Sequence, residues 1–153
     1  MGFLDKIKGA VKAVTGGAAR VTMEFTPPFG FAGEVVQVRI SATSTGAEIK
    51  SKGVYVDLLG TEEVRLRADS SRGRAQDQTE SKNTEHELQI APAFVLAANE
   101  TKHWEGHVTL PGGIQPSFAG AYATYTWQVR GRIEATGNDP DSGFKAFRVG
   151  LKS

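Results

Sequence analysis

The chain has 153 residues, of which 39% are hydrophobic and 23% charged, enough for one soluble globular domain with its own core. A net charge of +1 argues against a nucleic-acid binder driven by overall charge, so no nucleic-acid partner is predicted. The absence of cysteine excludes disulfides and thiolate chemistry and suits a reducing cytosol. No run reaches the roughly 18 apolar residues that a membrane-spanning helix needs.

Residues 2–15 predict a short amphipathic helix, because their apolar side chains gather on one arc at about 100° per residue. A helix this short is only marginally stable by itself in water. Its apolar face must therefore dock on the domain, on a partner protein or on an anionic membrane surface. Gly16-Gly17 ends it, which divides the chain into a helix with hinge (1–17) and one domain (18–153). The predicted contact residues are Phe3, Leu4, Ile7, Val11 and Val14 on the arc, with Lys6, Lys8 and Lys12 beside or beyond it.

From Ala19 onward apolar and polar residues alternate, which predicts strands with one buried face. The residues predicted to share that buried face include Val36, Val38 and Ile40; Val54, Val56 and Leu58; Tyr125, Trp127, Val129 and Ile133; and Phe147, Val149 and Leu151. About eight strands with turn residues between them predict an all-β sandwich. Gly60 is interpreted as a corner between two strands, and the polar stretch 69–83 as a mobile loop. The eight predicted strands are residues 20–25, 34–42, 49–59, 62–68, 84–90, 102–110, 122–135 and 144–151.

Two groups of residues contain side chains that can bind metal ions, but the spacing of neither group favours a metal site. His103, Glu105 and His107 share one face of a strand, but the strand rise separates the two histidines by about 13 Å. Zinc holds nitrogen ligands at about 2 Å, so a solvated polar face is favoured. Asn138, Asp139 and Asp141 fit a polar turn and lack the spacing of an EF-hand, so no metal or cofactor is predicted.

The serines lack a nucleophile elbow such as GxSxG, and no glycine-rich phosphate loop is present. We therefore predict no catalytic residues and no enzyme. By the alternation, six arginines point outward, which favours a solvated sheet face over a basic strip for an acidic partner. These are Arg39, Arg65, Arg67, Arg130, Arg132 and Arg148.

The last third of the chain carries a family resemblance. Leu110-Pro111 is followed by Ile114, by Pro116-Ser117-Phe118 and Gly120, and then by Tyr125-x-Trp127-x-Val129-x-Gly131-x-Ile133. This order resembles the arrestin-like superfamily, in which a strand ends in Leu-Pro, a loop carries Pro-Ser and an aromatic-rich strand follows. Among its members, the sequence resembles bacterial sporulation-control proteins, which also begin with a short helix. Those proteins have two tandem sandwiches, whereas this sequence accounts for one.

The resemblance implies an immunoglobulin-like, arrestin-like sandwich of two antiparallel sheets over residues 19–151. It also implies a non-catalytic adaptor or scaffold that binds another protein. The helix and the sheet edges are the predicted surfaces for partners or for self-association into a homo-oligomer. The expected location is cytoplasmic, and peripheral to the membrane if the helix binds lipid. The alternative is a sandwich that binds a small ligand or carbohydrate, which requires Phe29, Phe118 and Tyr122 to cluster outside the core.

Overall fold

The computed structural model describes residues 18–27 and 29–151, and the regular secondary structure of this part consists of strands and one short turn of 3-10 helix. The predicted helix at residues 2–15 and the hinge after it lie outside the described residues. The ten described strands are β1 (Ala19–Thr26), β2 (Phe29–Phe31), β3 (Val35–Ser44), β4 (Ile49–Leu66), β5 (Gln78–Ala91), β6 (Phe94–Leu96), β7 (Thr101–Thr109), β8 (Phe118–Ala119), β9 (Ala123–Ala135) and β10 (Lys145–Gly150).

The strands form two sheets. The small sheet has the order β1-β3-β7, and the large sheet has the order β2-β10-β9-β4-β5, with β6 paired to β4 and β8 to β9. All of these pairs are antiparallel except β2 with β10, which run parallel. The all-β architecture predicted from the alternation is confirmed, although three short strands, β2, β6 and β8, were not predicted.

The core lies between the two sheets and consists of the inward residues of each strand. Val36, Val38 and Ile40 of β3 face Val54, Val56 and Leu58 of β4, and all six are buried as predicted. The inward residues of β9 (Tyr125, Trp127, Val129 and Ile133) are also buried, whereas Leu151, predicted to be inward, is 79% exposed. Burial of apolar side chains at roughly 25 cal/mol per Å² is the main force that holds the sheets together.

The two sheets approach each other closely at Gly131 of β9. A Cβ atom placed there would lie 2.9 Å from Cδ1 of Ile40 and 3.2 Å from Cβ of Met23, both in the small sheet. Any side chain at this position would therefore push the layers apart. Glycine is the residue that permits this contact.

Gly60 does not form the predicted corner, because it lies in the middle of the 18-residue strand β4. Its missing side chain makes room for two aromatic rings of β9. A Cβ atom at Gly60 would lie 2.8 Å from the indole of Trp127 and 2.9 Å from the hydroxyl of Tyr125. The two strands predicted on either side of it are therefore one strand, which extends the large sheet beyond the small one.

The prediction of a loop through residues 69–83 is also wrong, since β5 already begins at Gln78. The turn between β4 and β5 contains a single turn of 3-10 helix, Ser70–Arg72, capped by the side chain of Asp69. Residues 61–66 and 78–83 pair in continuous register as a hairpin. Backbone pairing with β4 supplies the stability that this polar segment lacks by itself.

Candidate functional site

One surface of the sandwich that a protein partner could reach is the outer edge of β5. This strand pairs with β4 on one side, and no described strand pairs with its other side. All eight residues from 78 to 85 are exposed, and burial begins to alternate only at His86. We call residues 78–85 the exposed edge segment. An unpaired strand edge presents a row of free N–H and C=O groups that another strand can bind.

The exposed edge segment is regular. Its register with β4 is unbroken from Tyr55 to Leu66, since the one irregularity in this pairing falls between Val54 and Tyr55. The segment contains no proline, and its charged residues are Glu80, Lys82 and Glu85. Charged side chains on an edge limit indiscriminate aggregation but leave the backbone available.

The tip of the β4–β5 hairpin is held by specific contacts. The guanidinium of Arg67 lies 4.7 Å from the ring centre of Tyr122, and the backbone N–H of Arg65 donates to the carbonyl of Tyr122 over 2.7 Å. The carboxylate of Asp77 accepts from the N–H of Ala68 over 2.8 Å, and this hydrogen bond lowers the pKa of Asp77. These contacts hold the hairpin as an extension of the large sheet.

The C-terminal part of β5 is not free in the same way. A Cβ atom placed on Gly106 of β7 would lie 3.5 Å from Ile90, which places the small sheet against this end of β5. Leu88, Ile90 and Ala91 pack against the core. The surface open to a partner strand is therefore limited to the exposed edge segment.

A second feature is an ionic cluster on the outer face of the large sheet, which we call the Asp57 cluster. Asp57 of β4 accepts hydrogen bonds from Nε of Arg130 and from Nε of Arg132, both over 2.8 Å. Arg132 also donates to Glu87 over 3.1 Å and to Asp139 over 2.8 Å. The side chain of Arg132 is only 8% exposed. The full cluster is Asp57, Glu87, Arg130, Arg132, Asp139 and Asp141.

The cluster satisfies its own charges and leaves little for a ligand. Each side-chain nitrogen of Arg132 has a carboxylate partner, and its hydrogen bonds to Asp57 raise its pKa. Burial raises the pKa of Asp141, although the N–H of Gly143 and the charge of Arg130 oppose that shift. Through Asp139 and Asp141 the cluster fastens the 136–143 turn to the sheet. Its geometry is that of a structural clamp.

The candidate metal residues have other partners. Nδ1 of His103 lies 2.6 Å from the hydroxyl of Ser41, and Glu105 accepts from Arg39 over 2.6 Å, both on the outer face of the small sheet. A shallow groove of about 410 Å³ beside them includes His107. Asp139 and Asp141 bind arginines, as described above. Within residues 18–27 and 29–151, no group of three or more acidic, histidine or cysteine side chains could hold a metal ion.

The outward arginines do not form one basic strip. Arg39 lies on the small sheet, Arg65 pairs with Asp77 over 3.3 Å at the hairpin tip, and Arg132 is buried. The prediction of a solvated face is therefore wrong for Arg132, because the 136–143 turn folds over it. The outward direction predicted for Arg130 and Arg132 is confirmed.

The exposed aromatic residues have separate partners. The ring of Phe118 lies 6.4 Å from that of Tyr125, whereas Tyr122 contacts Arg67. Phe118 belongs to β8, which flanks β9 on the side opposite to β4, while Arg67 follows the end of β4. The side chain of Phe29 lies outside the described part of the structure. Phe118 and Tyr122 thus do not make one platform.

The contact residues predicted for the N-terminal helix fall outside the described residues. They are Phe3, Leu4, Lys6, Ile7, Lys8, Val11, Lys12 and Val14. In the described part of the chain, no helix has the length and apolar character needed to cross a membrane.

Comparison with known proteins identifies the fold. No family model matches the sequence, and no curated protein sequence matches it. Among solved structures, Spo0M, the sporulation control protein of Bacillus subtilis, superposes with a TM-score of 0.63. The fold is arrestin-like. That likeness covers 89% of this chain and 51% of Spo0M at 18% identity, so this arrestin-like chain spans about half the length of that structure and shares its fold. The predicted resemblance is confirmed at the level of fold.

Sequence reasoning missed both the exposed edge segment and the Asp57 cluster. Residues 78–83 are polar on both faces, because both faces meet water, so the alternation that marks a half-buried strand is absent. The signal in the sequence was the continuation of the pattern through Val64 and Leu66, which requires a pairing strand opposite. Asp57, an acidic residue among the apolar residues of β4, was the available sign of the cluster.

Proposed function

We propose that this chain is a non-catalytic protein-interaction module of arrestin-like type, an adaptor or scaffold that binds an extended segment of another protein chain along β5. The observation that carries the proposal is the exposed edge segment, eight consecutive exposed residues on a regular strand with one unpaired side in the described structure. Strand addition at such an edge supplies main-chain hydrogen bonds for affinity, and the neighbouring side chains supply selectivity.

Three further features support this surface over others. The edge is long and contains no proline or bulge over residues 78–85. The tip of its hairpin is held by the contact of Arg67 with Tyr122, so the edge is organised before a partner arrives. Preorganisation reduces the entropy lost on binding. The Asp57 cluster, in contrast, already satisfies its polar groups internally.

The test is site-specific photo-crosslinking in the native cell extract. Benzoyl-phenylalanine replaces Ser81 in the exposed edge segment or, as the control, Gln37, which is exposed on the central strand of the small sheet. We expect a discrete crosslinked product from position 81, mapped by mass spectrometry to an extended segment of a protein, and none from position 37. Equal products at both positions, or none at position 81, would refute the proposed docking edge.

We further propose that the amphipathic segment at residues 2–15 localises the protein, with its apolar arc against an anionic membrane or a partner and its lysines in attraction to negative charge. The support is the sequence pattern, in which Lys6, Lys8 and Lys12 accompany the apolar residues. Co-sedimentation with phosphatidylserine vesicles tests this. Binding that salt reverses, and that a variant with all three lysines changed to glutamate loses, supports the membrane; sedimentation unaffected by these changes contradicts it.

A further inference from the structure

We propose that the partner bound by the exposed edge segment is the same segment of a second copy of this chain, in an antiparallel pairing centred on Ser81. The inference rests on the proposed function of β5 as a docking edge and names its partner. It is drawn from the pattern of charges along β5 and from the symmetry that two identical edges must obey.

Symmetry first restricts the geometry. Two identical strands that join edge to edge around a two-fold axis must run antiparallel, because each residue i that meets residue j requires that j meets i. In an antiparallel pair, two residues directly opposite each other either both point their N–H and C=O groups toward the partner strand or both point them away. Because this direction alternates along each strand, only residues an even number of positions apart can lie opposite each other. The axis must therefore pass midway between one residue and its own copy in the partner strand. Each choice of central residue defines one allowed register.

Charge then selects among these registers. An axis at Ser81 places Lys82 opposite the partner's Glu80 and Glu80 opposite the partner's Lys82, which makes two opposite-charge pairs. An axis at Glu80 or at Lys82 places like charges directly opposite, which destabilises a sheet. The other carboxylates of β5, Glu85 and Glu87, differ from Lys82 by an odd number of positions and never meet it in an allowed register. Only the register centred on Ser81 pairs Lys82 with an acidic residue of β5.

The remaining pairs in this register are compatible. Thr79 meets Asn83, Gln78 meets Thr84, and Ser81 meets its own copy, so each pair across the interface can form hydrogen bonds. The seven paired positions, 78–84, lie entirely within the exposed edge segment. Asp77 would approach Glu85, but its carboxylate is already engaged by Ala68 and Arg65 at the hairpin tip.

The side chains of Glu80 and Lys82 are also available to pair with a second copy. Within the described residues, neither Glu80 nor Lys82 takes part in an ion pair. Lys82 lies opposite Glu62 in the register between β4 and β5, so in the dimer its ammonium would lie between two carboxylates. An interface of this length is small, and the association is expected to depend on concentration.

Charge exchange provides the first test, by sedimentation velocity of the full-length protein over a concentration series. Glu80→Lys or Lys82→Glu each converts two attractive pairs into two repulsive ones and should raise the dimer dissociation constant about tenfold or more. An equimolar mixture of the two variants restores opposite charges at both pairs and should dimerise again. A monomeric wild type, or a mixture no more associated than its components, would overturn the proposal.

Cysteine substitution provides the second test, because the sequence contains no cysteine. In the proposed register, position 81 meets its own copy within about 4.5–5.5 Å between Cα atoms, a distance that a disulfide can span. Position 79 lies on the same face but about 13 Å from its own copy. Ser81→Cys should form a disulfide-linked dimer on mild oxidation, and Thr79→Cys should not. Equal crosslinking of both variants would refute the register.

The outcomes also separate this inference from the proposed function. If the wild type is monomeric and photo-crosslinking at position 81 captures a segment of a different protein, the docking edge stands and the self-pairing fails. If position 81 yields neither its own copy nor another chain, both fail. A photo-crosslink from position 81 to residues 78–84 of a second copy supports both.

Discussion

The close approach of the two sheets at Gly131 leads to a quantitative prediction about the fold. In Gly131→Ala, the new Cβ atom would meet Ile40 at 2.9 and 3.0 Å and the Cβ of Met23 at 3.2 Å. Ile40 and Met23 are 0% and 1% exposed, so neither has free space into which to move. Overpacking of this kind costs about 1–3 kcal/mol. Alanine offsets roughly 0.5–1 kcal/mol of this cost, because its backbone loses less conformational entropy on folding than that of glycine. From the middle of both ranges we therefore expect a net loss of about 1 kcal/mol.

The matched control is Gly106→Ala, at an inward-facing position in β7. Its Cβ would lie 3.5 Å from the nearest atom of Ile90, an ordinary contact distance. This variant should be neutral or more stable by up to about 1 kcal/mol. Urea unfolding followed by tryptophan fluorescence measures both: the midpoint should fall for Gly131→Ala alone, with an unchanged slope. Equal effects of the two substitutions, or no loss at Gly131, would refute the described packing of the sheets.

Three further predictions concern the Asp57 cluster and the β4 strand. Asp57→Ala leaves the buried Arg132 without its main carboxylate partner and should lower the free energy of unfolding by about 3–5 kcal/mol. Glu87→Gln, at a side chain that is 68% exposed, should lower it by less than about 1 kcal/mol. Urea unfolding measures both. Because the pKa of Asp141 is raised, ionisation of its carboxyl group destabilises the fold. Asp141→Asn should therefore raise the melting temperature at pH 7 but not at a pH below the ordinary carboxyl pKa. An equal gain at low pH would contradict this. Gly60→Ala should disturb the indole ring that covers it and shift the tryptophan emission.

Much of the core was predictable because a half-buried strand imposes period two on its sequence. Val36, Val38 and Ile40 could be assigned to the buried face without further information, and so could Trp127 and Val129 of β9. Strand boundaries and pairing were less accessible. β2, β6 and β8 span only two or three residues, too few for an alternation to show.

The misassignment of Gly60 has a physical reason. In a single sequence, glycine followed by polar residues favours a turn. Here the glycine is required by the ring of Trp127, which lies 67 positions later in the chain and packs on it across the sheet. Such a contact depends on register, which the local sequence does not encode.

The candidate surfaces were harder to predict than the core. Alternation placed Arg130 and Arg132 on the outer face correctly, but the turn that covers them and the partner Asp57, 75 positions from Arg132, come from tertiary structure. Residues 78–85 lack any apolar pattern because no face of them is buried. A docking edge of this kind is defined by its pairing with β4, and it became visible only with the topology.

The most direct test of the account is residue-resolved amide hydrogen exchange along β5, measured by NMR at low and at high protein concentration. At low concentration, alternate amides of residues 78–85 should be protected by β4 and those between them should exchange fast. At high concentration, the fast set around Ser81 should become protected. Uniform protection at low concentration, or a fast set unchanged at high concentration, would contradict a free edge that pairs with its own copy.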